Sequence, residues 1–302
     1  MKVVFHAGAQ KTGSTSIQRW LYRNENGLNQ LGITCPKRLI RSNQVDPIHQ
    51  IVSRMRRIQN QDELKAKFKL RIAQLLDERD CHTVLLSNED MFGYPIGSPN
   101  RAFYPTARMR VRTFSCFLND NDLDFEFIFF IRAYSEFLQS YYVQYVRQGG
   151  PLSFESFCSQ LDFEKISWMP IISVLSKSFP GKVKIVPFDH FYSRPGFHLN
   201  NLFFDGRFDP AVCDELLQIK ANRSPSMRLV NSAQQINKIL RQMTNMSQRD
   251  AGRFTSKYFM TPLELILKSK GSRMNSEISE LLDIRYSTEL KALENNKDVH
   301  LL

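Results

Sequence analysis

Cysteine is scarce and scattered in this chain of 302 residues. The five present, Cys35, Cys81, Cys116, Cys158 and Cys213, are odd in number and far apart. That excludes a disulfide framework, and without a C-x-x-C pair no zinc knuckle is indicated; no metal is expected. Such usage suits a reducing compartment. Long apolar runs are also missing. The longest, Phe127 to Ile131, is far short of the ~20 residues that span a membrane. The opening stretch Met1 to His6 is too short for a secretory leader. A soluble, cytoplasmic protein is the expectation, with no transmembrane segment. No internal repeat or low-complexity tract is visible.

Acidic residues are in deficit, 30 Asp and Glu against 41 Lys and Arg, a formal net charge of +11. A basic surplus admits an anionic partner: nucleic acid, a phosphorylated nucleotide, a charged glycan or an acidic membrane. It equally describes a solvated basic surface. The charge is spread along the chain and no recognised nucleic-acid motif is present, so nucleic acid is not the expected partner.

What is present alternates between strand and helix patterns. Lys2 to Ala7 reads as a short buried strand. A helix is expected from Ser14 to about Asn29, with Ile17, Trp20, Leu21 and Leu28 near helical spacing. Pro36 to Pro47 reads as a basic, irregular connection. Gln61 to Asp80 is a second amphipathic helix, Thr83 to Ser87 a strand, and Asn88 to Pro105 a loop long enough to suggest a role of its own. Helix is expected over Thr106 to Leu118. Phe125 to Ile131 is a strand apolar enough to be covered on both faces. Ser135 to Arg147 is a helix closed by Gly149-Gly150-Pro151. Helices over Ser153 to Leu161 and Trp168 to Ser178 precede a fourth strand, Lys182 to Pro187.

The class that follows is α/β. The central parallel sheet has about four to five strands, is flanked by helices in the manner of P-loop NTPases, and is followed by a mostly helical C-terminal region. One domain covers residues 1–302, with a core to about 208 and a helical extension or lid over about 209–302. Ligands of such sheets bind at the C-terminal strand edges. Those edges carry Gly8 to Thr15, then Asn88-Glu89-Asp90, then Arg132.

The first edge has the construction of an anion site. The first N–H groups of a helix lack intrahelical partners, and the helix dipole adds positive character. Lys11 adds a full charge, and Ser14, Thr15 and Ser16 add hydroxyls. It is not a Walker A loop, which needs a lysine directly after the second glycine. Gly8 and Gly13 have the right separation, but Ser14 follows Gly13 and Lys11 precedes it.

Lys11-Thr12-Gly13-Ser14-Thr15-Ser16 resembles the 5′-phosphosulfate-binding loop of sulfotransferases that use 3′-phosphoadenosine 5′-phosphosulfate (PAPS). The wider string from His6 through Gly8 and Lys11 to Gln18 is similar to bacterial members, including those associated with cell-surface carbohydrate. A second signature, the apolar strand ending in Arg132 and then Ser140 on a helix, resembles the family's 3′-phosphate site. A planar guanidinium suits that grip. Ala133 and Tyr134 depart from the commonest form. Together the signatures cover the first half of the chain. The resemblance implies sulfuryl transfer from PAPS to an acceptor hydroxyl or amine, a carbohydrate or glycan first among acceptors. It also implies cofactor contacts from Gly8, Lys11, Thr12, Gly13, Ser14, Thr15, Ser16, Arg132 and Ser140.

Sulfuryl transfer needs a base for the acceptor's proton and positive charge for the departing 5′-phosphate. Lys11 is the expected stabiliser. Glu89 is the expected base, with Asp90 and His6 as competitors. Acceptor-side candidates are Lys37 to Arg41, the loop Asp90 to Arg110, and Tyr141, Tyr145 and Arg147. The run Arg54-Met55-Arg56-Arg57 reads as a solvated helix face. The segment Asn222-Arg223-Ser224-Pro225-Ser226 also resembles bacterial sulfotransferases. A nucleotide kinase or NTPase of related architecture is the alternative, and the position of Lys11 argues against it.

Overall fold

The computed structural model describes residues 2–39, 44–54, 61–96, 103–119, 123–215, 225–266 and 276–302. The chain divides into two compact units. The first comprises Met1–Arg132, Ser167–Ala221 and Thr288–Leu302, and the second Ala133–Ile166 and Asn222–Ser287. The last residues of the chain, Thr288–Leu302, return to the first unit, where the strand His300–Leu301 joins the sheet.

The first unit is an α/β layer structure. Its strands are β1 (Lys2–His6), β2 (Ile33–Thr34), β3 (Arg38–Leu39), β4 (Gln44–Val45), β5 (Thr83–Ser87), β6 (Asp124–Ile131), β7 (Val183–Pro187) and β8 (His300–Leu301). Six of them form one parallel sheet in the order β2-β5-β1-β6-β7-β8. The four strands expected from sequence are its centre. The two additional strands, β2 and β8, are two-residue edge strands, too short to carry an alternation pattern.

Continuous apolar strands demand cover on both faces. On one face Ile17, Trp20 and Leu21 pack with Val4, Leu85, Ile128, Phe130, Phe191 and Leu199. Elsewhere Phe5 stacks on Phe127 at 4.8 Å, and Phe114 meets both rings edge-on. The chain adds β5 on one side of β1 and then β6 on the other. The C-terminal end of β1 is therefore a topological switch point, where open α/β sheets leave a crevice.

Two local expectations are corrected. The helix after the loop runs Ser14–Arg23, breaks at Asn24 and resumes as Glu25–Gln30. The Asn24 amide donates to the Trp20 carbonyl at 3.0 Å, the local competition that makes Asn a poor helix interior. Within Pro36 to Pro47, expected to be irregular, β3 and β4 pair antiparallel, Arg38 opposite Val45.

In the second unit, helix Tyr134–Arg147 ends at a Gly149 with φ +88°. A Cβ on Gly252 would stand 2.4 Å from the Gly149 nitrogen, so helix Gln248–Thr255 crosses this turn backbone to backbone. Asn237 donates to the Val146 carbonyl at 2.8 Å.

Candidate functional site

Parallel register sets the first contact. His6, the last residue of β1, is the partner of Ser87, the last residue of β5, so both side chains stand at the same sheet edge. His6 Nδ1 and Ser87 Oγ are 2.8 Å apart. The ring is fully buried, edge-on to Phe130 at 5.0 Å and Phe203 at 5.5 Å. Burial pulls its pKa down to about 3, so the imidazole is neutral at physiological pH. Its other nitrogen, Nε2, has no hydrogen-bond partner.

That nitrogen faces the loop. A Cβ on Gly8 would stand 3.0 Å from Ser14 Oγ, 3.0 Å from Thr12 Oγ1 and 3.2 Å from His6 Nε2. Glycine thus leaves a small space with three polar atoms around it. The Thr12 hydroxyl donates to the Ala9 carbonyl at 2.5 Å. Ser14 Oγ, like His6 Nε2, is buried and unpartnered. Buried polar groups are almost always paired, so two orphans facing one space mark a place for a ligand.

The helix start completes the cradle. Helix Ser14–Arg23 has Gly13 at its N-cap, no side-chain cap and no acidic residue in its first turn. The Ser16 N–H donates to the Gly13 carbonyl at 2.9 Å, while those of Ser14 and Thr15 stand at the positive end of the dipole, where a helix start receives an anion. Gly13 has φ +76°, and a Cβ there would lie 2.3 Å from Tyr192 Oη. Only glycine satisfies both conditions. Lys11 takes φ +71°, a conformation that costs an L-residue roughly 1–2 kcal/mol. Its carbonyl accepts from Arg132 Nη1 at 3.0 Å.

Arg132, just beyond β6, is half-buried and lies over the Phe188 ring at 4.5 Å. Its own carbonyl accepts from Trp168 Nε1 at 2.8 Å. Tyr192 belongs to the short helix Phe188–Ser193 after β7 and bonds Ser16; burial pushes its hydroxyl up to about 12, against the opposing pull of Ser16 and Arg132. Neither Phe188 nor Tyr192 stands out by sequence motif. Their position after a strand at the C-terminal sheet edge was the signal available.

Glu89 and Asp90 follow β5 and share one cation. Arg38 Nη1 reaches Glu89 Oε2 at 2.9 Å, and Nη2 reaches Asp90 Oδ2 at 2.6 Å. Burial works against the Arg38 charge, but the two carboxylates outweigh it and raise its pKa. Gln18 donates to Glu89 at 2.9 Å and Gln10 to Asp90 at 2.6 Å. Both amides come from the loop and its helix, so carboxylates and loop form one connected network. Arg38 lay within the acceptor-side segment Lys37 to Arg41, of which residues 40 and 41 are outside the described residues.

Several other candidates have structural partners. Arg110 donates to the Asp90 and Met91 carbonyls at 2.7 and 3.1 Å; residues 97–102 of its loop are outside the described residues. Ser140, Tyr141, Tyr145 and Arg147 belong to the second unit. There Ser140 is half-buried, Tyr141 stacks on Phe137, Tyr145 Oη accepts from the Leu152 N–H at 3.3 Å, and Arg147 pairs with both oxygens of Glu264. Ser226 caps helix Met227–Met243, while residues 222–224 are outside the described residues, as are 55–57. Among the described residues no cluster of three His, Cys, Asp or Glu is arranged to hold a metal ion.

No protein-family model matches this chain, and no curated protein matches it. Among solved structures the chain is similar to one titled "Crystal Structure of Sulfotransferase from Alicyclobacillus acidocaldarius". The identity is 14%, over 83% of this chain and 98% of that one, with a TM-score of 0.38.

Proposed function

We propose that this protein is a sulfotransferase, moving a sulfuryl group from PAPS to an acceptor hydroxyl or amine, with a carbohydrate first among acceptors. One observation carries the reading: buried, unpartnered His6 Nε2 and Ser14 Oγ converge on Gly8 beside an uncapped helix start and Lys11. That arrangement supports a site for a tetrahedral oxyanion, and its loop resembles the PAPS-type string rather than the ATP-type one.

In this reading the 5′-phosphosulfate of the donor lies along the loop. The acceptor oxygen or nitrogen attacks sulfur in line with the bond to the bridging phosphate oxygen. A new bond to sulfur forms as that bond breaks, and the electron pair leaves on the 5′-phosphate. Lys11 and the helix start stabilise that charge, the kind of preorganised field that is usually the largest catalytic contribution. Glu89 takes the acceptor's proton. Arg38 and Gln18 hold its carboxylate and fix its direction. Arg132 grips the 3′-phosphate.

Calorimetric titration with adenosine 3′,5′-bisphosphate, the desulfated product, tests the proposal. Stoichiometric binding is expected. Absence of binding overturns it, and tight binding of magnesium-ATP in its place favours the kinase or NTPase class.

A further inference from the structure

The neutral, buried His6 makes a poor base, and its geometry suggests different work. An imidazole has one N–H and one lone pair when neutral, and the partner of one nitrogen decides the role of the other. Here the partner is Ser87 Oγ, 2.8 Å from Nδ1. The opposite nitrogen looks across 3.2 Å to the Cβ direction of Gly8, alongside Ser14 Oγ at 3.0 Å. Thr12 also borders that space, but its proton is committed to the Ala9 carbonyl.

We infer that His6 is an oxyanion donor of the loop: Ser87 donates its hydroxyl proton to Nδ1, which fixes the proton of the ring on Nε2, and Nε2–H then donates to an oxygen of the bound 5′-phosphosulfate or phosphate.

The arrangement follows from what the space contains. If Nδ1 carried the proton, Nε2 would present a lone pair to an anion site, and a buried acceptor facing an anion has no compensation. With the proton on Nε2, His6 and Ser14 supply two donors to one oxyanion. Both orphaned atoms are then satisfied by one ligand. The aromatic edges of Phe130 and Phe203 keep the ring neutral and dry, where a hydrogen bond to an anion is strongest. Among the described residues no ionised side chain hydrogen-bonds or ion-pairs with the ring. Ser87 is the positioning residue of His6.

This inference rests on the reading of the loop as an oxyanion site, and the test separates the two. In protein labelled with 15N-histidine, the His6 ring is expected in the Nε2–H tautomer, and its Nε2–H signal shifts on addition of adenosine 3′,5′-bisphosphate. His6→Asn keeps an amide near Nδ1 for Ser87 and removes the donor at Nε2. It is expected to weaken bisphosphate binding about tenfold to a hundredfold, the usual range for one hydrogen bond to a charged group. His6→Gln, whose amide reaches the Nε2 position, recovers most of that loss. Ser87→Ala is expected to mix the two tautomers. An Nδ1–H tautomer in the liganded wild-type protein overturns the inference, as does unchanged affinity in folded His6→Asn. The tautomer measurement decides the matter where a variant fails to fold. Inorganic sulfate and pyrophosphate are titrated in parallel. An Nε2–H shift with these ions, but no binding of the bisphosphate, overturns the nucleotide reading and sustains the donor. No response to any of the three overturns both.

Discussion

Gly8→Ala isolates the oxyanion space from everything else in the fold. Gly8 does not have the left-handed φ that marks Gly13, so an alanine meets no backbone strain there. Its Cβ would touch three atoms at 3.0, 3.0 and 3.2 Å, each a few tenths of an ångström tighter than ordinary contact. Overpacking of this kind typically costs about 1–3 kcal/mol, and the low end applies because Ser14 is a small, rotatable side chain. Binding suffers more. The methyl group occupies the room in front of His6 Nε2 and Ser14 Oγ, so an oxyanion loses two hydrogen bonds from neutral donors to a charge. At about 1.5–3 kcal/mol each, affinity for adenosine 3′,5′-bisphosphate should fall at least about a hundredfold. Calorimetric titration gives the affinity, and scanning calorimetry gives the stability of the same sample. A folded Gly8→Ala protein that binds like wild type refutes the placement of the anion against Gly8.

Lys11→Gly should separate stability from activity. Relief of the left-handed strain, roughly 1–2 kcal/mol, is offset by about 0.5–1 kcal/mol of glycine freedom, so the denaturation midpoint holds or rises while sulfuryl-transfer kcat falls by about two decades or more. Glu89→Gln should lower kcat by about 10²-fold or more and leave bisphosphate affinity near wild type; near-normal turnover moves the proton acceptor to Asp90. The His6 shift predicts acid lability. The unfolded chain takes up a proton near pH 6.5 that the folded chain declines until about 3, so stability falls as pH falls through that window, by up to about 1.4 kcal/mol per pH unit. Denaturant titrations at pH 5 and 7 should show a shallower loss in His6→Gln, and equal slopes in the two proteins would refute it. His49 is shifted in the same direction, also by burial, so some loss remains in the variant.

The sheet was legible where its strands were long and continuously apolar. Phe127 to Ile131 can only be a strand covered on both faces, and the structure has it at the centre beside β1. Strands β2 and β8 were illegible because two residues carry no period. The loop was legible because its glycines, lysine and hydroxyls are consecutive, so chain connectivity alone brings them together. The partners that orient it were not. Ser87 meets His6 only through the β1–β5 register, which no local pattern specifies. Arg38 reaches Glu89 and Asp90 from an antiparallel strand pair whose two-residue strands read as irregular chain. Tyr192 and Phe188 arrive from a separate strand end nearly two hundred residues along.

Arg132 shows how such non-local contacts change the meaning of a motif. The sequence resemblance implies a phosphate ligand at this position. In the structure one of its guanidinium nitrogens donates to the Lys11 carbonyl, and the Ala9 N–H bonds the Phe130 carbonyl two residues before Arg132. The end of β6 therefore holds the loop at two points that flank Gln10. Lys11 can stay at φ +71° because its carbonyl is tied down, and Gly13 stays at φ +76° beneath Tyr192. A strained loop persists only when its surroundings over-determine it. Arg132 is one of those determinants. Its fork has five N–H donors, so a bond to Lys11 and a bidentate grip on phosphate are compatible. Under the proposed function, loss of nucleotide affinity on substitution of Arg132 should have two sources, a missing phosphate contact and a relaxed loop. Only the second also weakens adenosine 5′-phosphosulfate, which has no 3′-phosphate to lose.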